Sequence, residues 1–103
     1  MPNLNATTEL IRQWGIDRGL DKAAPEKQML KLMEEVGELA EGLAKGDGDK
    51  ILDSIGDTYV VLTNLSEQLG FRVEDCIERA YLEIADRKGE MVNGVFVKES
   101  DLP

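Results

Sequence analysis

The sequence predicts an all-α fold, a four-helix-type bundle with a short C-terminal β-hairpin or extended arm. Three observations support this. Apolar residues recur at helical spacing in four segments, Gly or Pro residues mark most segment ends, and an Asn-Gly pair separates two short β-prone runs near the C-terminus. The chain has 103 residues, the usual size of one domain, so we expect a single domain over residues 1–103.

The first two helices follow from apolar spacing and end residues. The first is predicted to begin near Thr7 or Thr8, with Asn5 or Thr7 as its cap, and to end at Gly15. The second is predicted over residues 25–44, because a proline suits the first helical turn and a long apolar series follows at i, i+3, i+4 and i+7.

The third helix is predicted over residues 50–69, and its apolar residues cover most of its circumference, so we expect it to be buried on several sides. The fourth is predicted over residues 73–88 with one apolar stripe. On these two helices we expect Cys76 to be buried and inert, and Tyr59 and Tyr81 to be core residues with bonded hydroxyls.

The pair Asn93-Gly94 predicts a type I′ turn between two short strands. Helices of this number and length bury only a limited core by themselves. Because the third helix is apolar on nearly every side, we expect another copy of the chain to cover part of it, and we predict a homo-oligomer.

The composition excludes several classes of function. The chain has 12 basic and 21 acidic residues, a net charge of −9, which makes bare nucleic acid a poor partner and divalent cations a good one. Cys76 is the only cysteine and histidine is absent, which excludes an internal disulfide, a cysteine-based zinc site and a histidine base. No apolar stretch reaches the ~18 residues of a membrane span, and no secretory signal is visible, so we expect a cytoplasmic protein without a membrane partner.

Carboxylates on the second helix are the first candidates for chemistry. Glu34, Glu35, Glu38 and Glu41 lie on an arc opposite the apolar stripe, and pairs at i, i+3 and i+4 can converge on one ion. The alternative is a solvated, salt-bridged face. Three lysines on the same arc favour that alternative: Lys27, Lys31 and Lys45.

Two aspartates on the third helix are harder to explain as surface residues. Asp53 and Asp57 are one turn apart on a nearly continuous apolar surface, where a buried carboxylate needs a cation or several hydrogen bonds. For Asp53, a simpler explanation than a metal ion is that the nearby Lys50 neutralises its charge. Antiparallel packing of the two helices would set Glu35 and Glu38 opposite these aspartates, and oxygen-only ligands suit Mg²⁺ or Mn²⁺.

The segments KLMEEVGELAE (residues 31–41) and DSIGD (residues 53–57) resemble the MazG-like branch of the all-α nucleoside triphosphate pyrophosphohydrolases. Residues 80–94 are similar to the compact, phage-type members, and the resemblance covers residues 25–93. The family pattern is E-E-x-x-E, a spacer, then E-x-x-D. Its second part matches here at Asp57 only, since Ser54 occupies the glutamate position and Asp53 precedes it.

The resemblance implies hydrolysis of a (d)NTP to (d)NMP and pyrophosphate with Mg²⁺ or Mn²⁺, two or more ions per site, in a homodimer or homotetramer. It implies a MazG-like domain over residues 1–103, phage-encoded in its compact form and acting in the host cytoplasm. It makes Glu34, Glu35 and Glu38 the expected catalytic carboxylates. Glu35, Glu38 and Asp57 would hold metal, alone or with Asp53 in place of the missing glutamate. Glu34, or else Glu41, would orient or deprotonate the attacking water.

Candidate substrate contacts have simpler alternatives. Trp14, with Ile11 one turn earlier, could stack on a base and favours purines, or it could be a core residue. Asn93 could read base or sugar edges, or could be only a turn residue. Three cations are candidates for the phosphates, against the alternative of surface charge: Lys50, Arg87 and Lys88.

Two other functions fit the same sequence. A small acidic helical protein could be a non-enzymatic interaction module or a mimic of nucleic-acid charge. A dUTPase-like phosphohydrolase is the second alternative, because the same helical family supports that activity. Two measurements distinguish these three functions: whether metal ions raise the melting temperature of the protein, and which products it forms from different nucleotides.

Overall fold

The computed structural model describes residues 3–103 and confirms the all-α class with a C-terminal hairpin. The α-helices are α1 (Leu4–Asp17), α2 (Pro25–Lys45), α3 (Gly48–Gln68) and α4 (Val73–Ile84), and the strands are β1 (Gly89–Val92) and β2 (Val95–Lys98). Short 3₁₀ turns lie at Leu20–Lys22 and Glu99–Asp101. Contacts divide the chain into two compact units, Met1–Val73 and Glu74–Pro103. Within residues 3–103, no helix has the length and apolar character needed to cross a membrane.

Two helix ends differ from the predictions. Helix α1 begins at Leu4 and not near Thr7, because the Asn3 side chain accepts a hydrogen bond from the Ala6 amide at 3.1 Å and caps the helix earlier. Helix α4 ends at Ile84 and not at Lys88, since Gly89 pairs with Lys98 at the open end of the hairpin and the chain leaves the helix before it. The other predicted ends agree to within two residues.

Helices α2 and α3 form the main packing contact of the first unit. A tight connection joins them, with Gly46 in the left-handed conformation (φ 66°) and the Asp47 side chain capping α3 by accepting from the Lys50 amide at 3.1 Å. Gly42 lets the helices approach closely, because a Cβ there would lie 3.2 Å from the Ile51 amide nitrogen. A short connection with this close contact sets the two helices antiparallel.

Polar contacts fix α1 on α3. The Thr8 and Tyr59 hydroxyls are 2.7 Å apart, so the predicted hydroxyl bond of Tyr59, a half-buried residue, is confirmed. The buried Arg12 donates from Nε to Glu67 Oε1 at 2.7 Å and also pairs with Glu9. These bonds fix the rotation of α1 about its own axis and its position along α3.

The hairpin in the second unit matches its prediction. Strands β1 and β2 pair antiparallel, with Val92 opposite Val95 across the turn. Asn93 and Gly94 both have positive φ, 52° and 81°, as a type I′ turn requires. Asn93 therefore has a structural role in the turn.

Little apolar surface is buried within one chain. Among the described residues, Val61 and Val73 are the only buried hydrophobic ones. Helices α1 and α2 cover only part of α3 in the single chain, where Leu52 is 72% exposed, so burial of α3 on several sides stays a prediction that depends on a second copy. The expectations that Cys76 and Tyr81 are buried are wrong, since both are exposed on α4.

Candidate active site

Glu35 is the buried carboxylate of the motif. It is 5% exposed and lies on the face of α2 that packs against α3, where Leu32, Leu39 and Gly42 follow the same spacing. Its Oε1 is 3.3 Å from Lys31 Nζ, and its Oε2 is buried without a hydrogen-bond partner among residues 3–103. A buried, unpartnered carboxylate oxygen is unfavourable unless a cation or donor compensates it. The alternative of a solvated face is therefore wrong for Glu35, which lies at the contact with α3 that antiparallel packing predicts.

The neighbouring glutamates are exposed and engage lysines. Glu34 Oε2 is 3.6 Å from Lys31 Nζ, and Glu38 is exposed one turn along the helix. Hydrogen bonds from Lys45 at 2.9 Å and from Lys50 at 3.1 Å lower the pKa of Glu41 to about 2. The Lys50 ammonium is therefore held at the Glu41 end of α2.

The aspartates of α3 line a cavity that α3 shares with α1. Asp53 and Asp57 are exposed, and both line a cavity of about 610 Å³ that also contacts Leu4 and Ile11 of α1. The expectation that Asp57 sits within a buried apolar surface is wrong. Ser54, which occupies the family's glutamate position, is the residue that faces inward at 2% exposure.

The proposed metal ligands are not gathered in one chain. Within residues 3–103, no group of three or more Asp, Glu, Cys or His side chains is close enough to hold one ion. The structure brings Asp53 and Asp57 to one cavity and leaves Glu35 at the α2–α3 contact. The ligand set Glu35, Glu38, Asp57 and Asp53 stays a prediction.

Trp14 and Ile11 meet at one cavity, as expected for a base-binding pair. That cavity has a volume of about 320 Å³, and its other walls come from Thr7, Leu10 and Val60. Trp14 is 47% exposed, so it is not a core residue of α1. The Arg18 guanidinium lies over its indole ring, 4.1 Å from the centroid.

A second cavity adjoins Trp14. It has a volume of about 450 Å³ and lies among α1, α2, α3 and the first 3₁₀ turn. Lys31 and the amides of Asn64 and Gln68 contribute polar groups to its wall. Gln68 donates from Nε2 to the Leu20 carbonyl at 2.9 Å, while its Oε1 is buried without a partner among the described residues.

The C-terminal candidates lie in the second unit. Arg87 lines a cavity of about 330 Å³ with Ile84 and Phe96. Lys88 directly precedes β1, and Asn93 is in the hairpin turn. Their contact with a substrate stays a prediction.

Lys31, which the sequence pattern assigns to surface charge, contacts Glu35 and lines the cavity beside Trp14. The spacing of Glu35 and Gly42 could have indicated this position. Residues seven apart lie on the same face of a helix, and a glycine on that face permits close approach of a second helix. This pattern could have placed Glu35 at the helix contact and Lys31 one turn from it.

The fold and the motif define a class, an all-α protein whose two packed helices carry E-E-x-x-E and then an aspartate. A comparison with protein families identifies the class more closely. The sequence model of one family, the MazG nucleotide pyrophosphohydrolase domain, matches residues 23–91. The chain belongs to this family.

A relative from Haemophilus phage HP1 (strain HP1c1) is described as an uncharacterized 18.2 kDa protein in the rep-hol intergenic region. It is 48% identical over 69 residues, a match that covers 66% of this chain and 42% of the phage protein. The chain therefore corresponds to less than half of that relative's length. No solved structure matches the chain significantly.

Proposed function

We propose that the protein hydrolyses a nucleoside triphosphate, (d)NTP, to (d)NMP and pyrophosphate in the presence of Mg²⁺ or Mn²⁺. The observation that carries this proposal is Glu35, a motif carboxylate buried at a helix contact with one oxygen unpartnered. Membership of the MazG nucleotide pyrophosphohydrolase family supports the same reaction.

The residues present fit a divalent ion. The unpartnered Oε2 of Glu35 is an oxygen donor in need of a cation, and the candidate ligands are all carboxylates, which suit Mg²⁺ and Mn²⁺. Glu35, Glu38 and Asp57 would hold the ions, two or more per site, with or without Asp53. Bound there, such ions neutralise phosphate charge and lower the pKa of water.

The chain's other groups would bind and orient the substrate. Trp14 and Ile11 offer an apolar wall for the base, and the area of the indole favours purines. Glu34 is exposed beside Lys31 and would orient or deprotonate a water, a task left to carboxylates in a chain without histidine. The remaining substrate contacts that we propose are cations for the phosphates and one amide: Lys50, Arg87, Lys88 and Asn93.

We also propose that the working form is a homodimer or homotetramer. Large apolar side chains are exposed on every helix of the single chain, including Leu10, Met33, Leu52 and Tyr81. Exposed apolar surface of this extent favours association with another copy. A second copy could also complete a ligand set that one chain leaves apart.

One MazG-like domain over residues 1–103 is part of the proposal, because the family match at residues 23–91 crosses the boundary between the two compact units. The similarity to a phage protein supports a phage-encoded enzyme acting on the nucleotide pool of the host cytoplasm. The acidic chain would bind nucleotides through its metal ions and not bind nucleic acid.

The test is a panel of all eight NTPs and dNTPs with Mg²⁺ or Mn²⁺ in which NMP, NDP, pyrophosphate and orthophosphate are all measured. We expect NMP and pyrophosphate. The variant Glu35→Gln removes a metal ligand with little change in shape, and we expect it to lose at least about 100-fold in rate. Glu83→Gln, which removes the same charge from an exposed site on α4, should keep the rate.

Other outcomes of the panel would contradict the proposal. NDP and orthophosphate would mean that a different bond is broken, and activity on dUTP alone would favour a dUTPase-like enzyme. No hydrolysis of any nucleotide, with no metal-dependent rise in melting temperature, would favour the acidic interaction module.

A further inference from the structure

Lys31 joins two features that are otherwise separate. Its ammonium lies 3.3 Å from Glu35 Oε1 and 3.6 Å from Glu34 Oε2. The same side chain lines the cavity of about 450 Å³ beside Trp14, Asn64 and Gln68. Lys31 therefore stands between the buried carboxylate of the motif and a cavity large enough for part of a nucleotide.

The Lys31–Glu35 pair differs from an ordinary surface pair on a helix. The Glu35 side chain is 7% exposed, whereas that of Lys31 is 53% exposed. The carboxylate is fixed by the packing of α2 on α3, but the lysine reaches it from solvent on a flexible four-carbon stem. The cation can leave with little disturbance of the fold, and the carboxylate cannot.

Glu35 is only half compensated by this lysine. One of its oxygens faces the ammonium and the other has no hydrogen-bond partner among residues 3–103. A divalent cation carries twice the charge of the ammonium and can contact either oxygen. Exchange of lysine for such an ion is therefore favoured at Glu35, because the ion would also compensate the unpartnered oxygen.

We propose that Lys31 is a displaceable counter-ion: it neutralises Glu35 in the metal-free protein, yields that position to a divalent cation, and then binds the phosphates of the nucleotide. The phosphate step rests on the proposed function. The exchange step rests on the Lys31–Glu35 geometry alone. In this scheme Lys31 senses the metal, because its ammonium is available to phosphate only after the ion has taken its place.

Mn²⁺ alone tests the exchange step. The variant Lys31→Met keeps a good helix former and removes the ammonium. We expect it to bind Mn²⁺ at least about 5-fold more tightly than the wild type at low ionic strength. This factor is the lower end of the range by which two competing sites usually change each other's affinity. Electron paramagnetic resonance of free Mn²⁺ measures this without nucleotide or turnover, and Lys31→Arg, which keeps the charge, should stay close to the wild type.

The matched control is Lys45→Met. Lys45 lies on the same helix in an i, i+4 pair with Glu41, and the substitution removes the same charge. Its Mn²⁺ affinity should stay within about twofold of the wild type, as expected for an exposed pair. Equal tightening in both variants would overturn the exchange step, because it would reflect net charge alone. So would an unchanged or weaker affinity in a folded Lys31→Met protein.

Tripolyphosphate titrated into protein already saturated with excess Mn²⁺ tests the phosphate step without reference to the base, because the exchange at Glu35 is then complete in every variant. We expect isothermal titration to show about tenfold weaker binding to Lys31→Met, the loss of one charge-assisted hydrogen bond, and unaltered binding to Lys45→Met. Unaltered binding to Lys31→Met would overturn this step. Tighter Mn²⁺ binding by Lys31→Met in a protein that hydrolyses no nucleotide would support the exchange and refute only the proposed function.

Discussion

Arg12 is the most deeply buried cation among the described residues and ties α1 to α3. It is 3% exposed, donates to Glu67 at 2.7 Å and also pairs with Glu9. Removing one partner of a buried ion pair leaves the other charge uncompensated. We expect Arg12→Met to lower the free energy of unfolding by about 3 kcal/mol, the lower end of the range because Glu67 is partly exposed.

Urea unfolding at one fixed protein concentration measures this loss. Arg79→Met is the control, since Arg79 is exposed and 3.9 Å from Glu83, and it should change stability by less than about 0.5 kcal/mol. Equal effects of the two substitutions would show that the buried pair contributes nothing specific.

At the scale of single residues, the sequence points to candidate carboxylates but predicts their burial poorly. It singled out Glu35 and Asp57 by motif, yet it expected Asp57 to be the buried one, and the structure buries Glu35 instead. A helical wheel relates residues within one helix. Which sector a second helix covers depends on where the two helices pack closely, as they do at Gly42.

Among the helices, the α2–α3 contact depends on Gly42. A Cβ there would lie 3.2 Å from the Ile51 amide nitrogen and 3.2 Å from Lys50 Cγ, and the backbone atom cannot move without shifting α3. We expect Gly42→Ala to lower the free energy of unfolding by about 1 kcal/mol, because overpacking exceeds the gain in helix propensity.

Gly37→Ala on the same helix should have the opposite sign. A Cβ at Gly37 meets nothing within 4 Å, so only helix propensity changes and stability should rise by about 1 kcal/mol. Thermal unfolding monitored by circular dichroism compares the two variants. Stabilisation by both would show that the two helices do not pack closely at Gly42.

Elements with strong local signals could be predicted from the sequence. The Pro25 start of α2 and the Asn93-Gly94 turn follow from the chemistry of those residues alone and are confirmed. The predicted start of α1 lies too late in the chain, because the helix is capped by Asn3 and not by either predicted cap, Asn5 or Thr7. The end of α4 depends on the pairing of Gly89 with Lys98, which no local pattern near Lys88 reveals.

For the whole molecule, the sequence predicted that one chain is too small to cover its apolar surface. The structure agrees in that only Val61 and Val73 are buried hydrophobic residues among those described. The same incompleteness applies to the site, because no three acidic side chains of residues 3–103 converge on one ion. The second copy that we propose to complete the site cannot be placed in space from a single sequence.

We propose that Glu35 of α2 and Asp57 of α3 serve the same divalent ions in the working assembly. A crystal structure of the protein with Mn²⁺ and a non-hydrolysable (d)NTP, with the ions located by anomalous scattering, tests it most directly. We expect Mn²⁺ at about 2.1–2.2 Å from Glu35, near the distances of small hard cations, with Glu38 and an Asp57 from the same or a second copy completing the site. Mn²⁺ bound away from Glu35, or Glu38 and Asp57 on opposite surfaces of the assembly with no ion between them, would contradict the account.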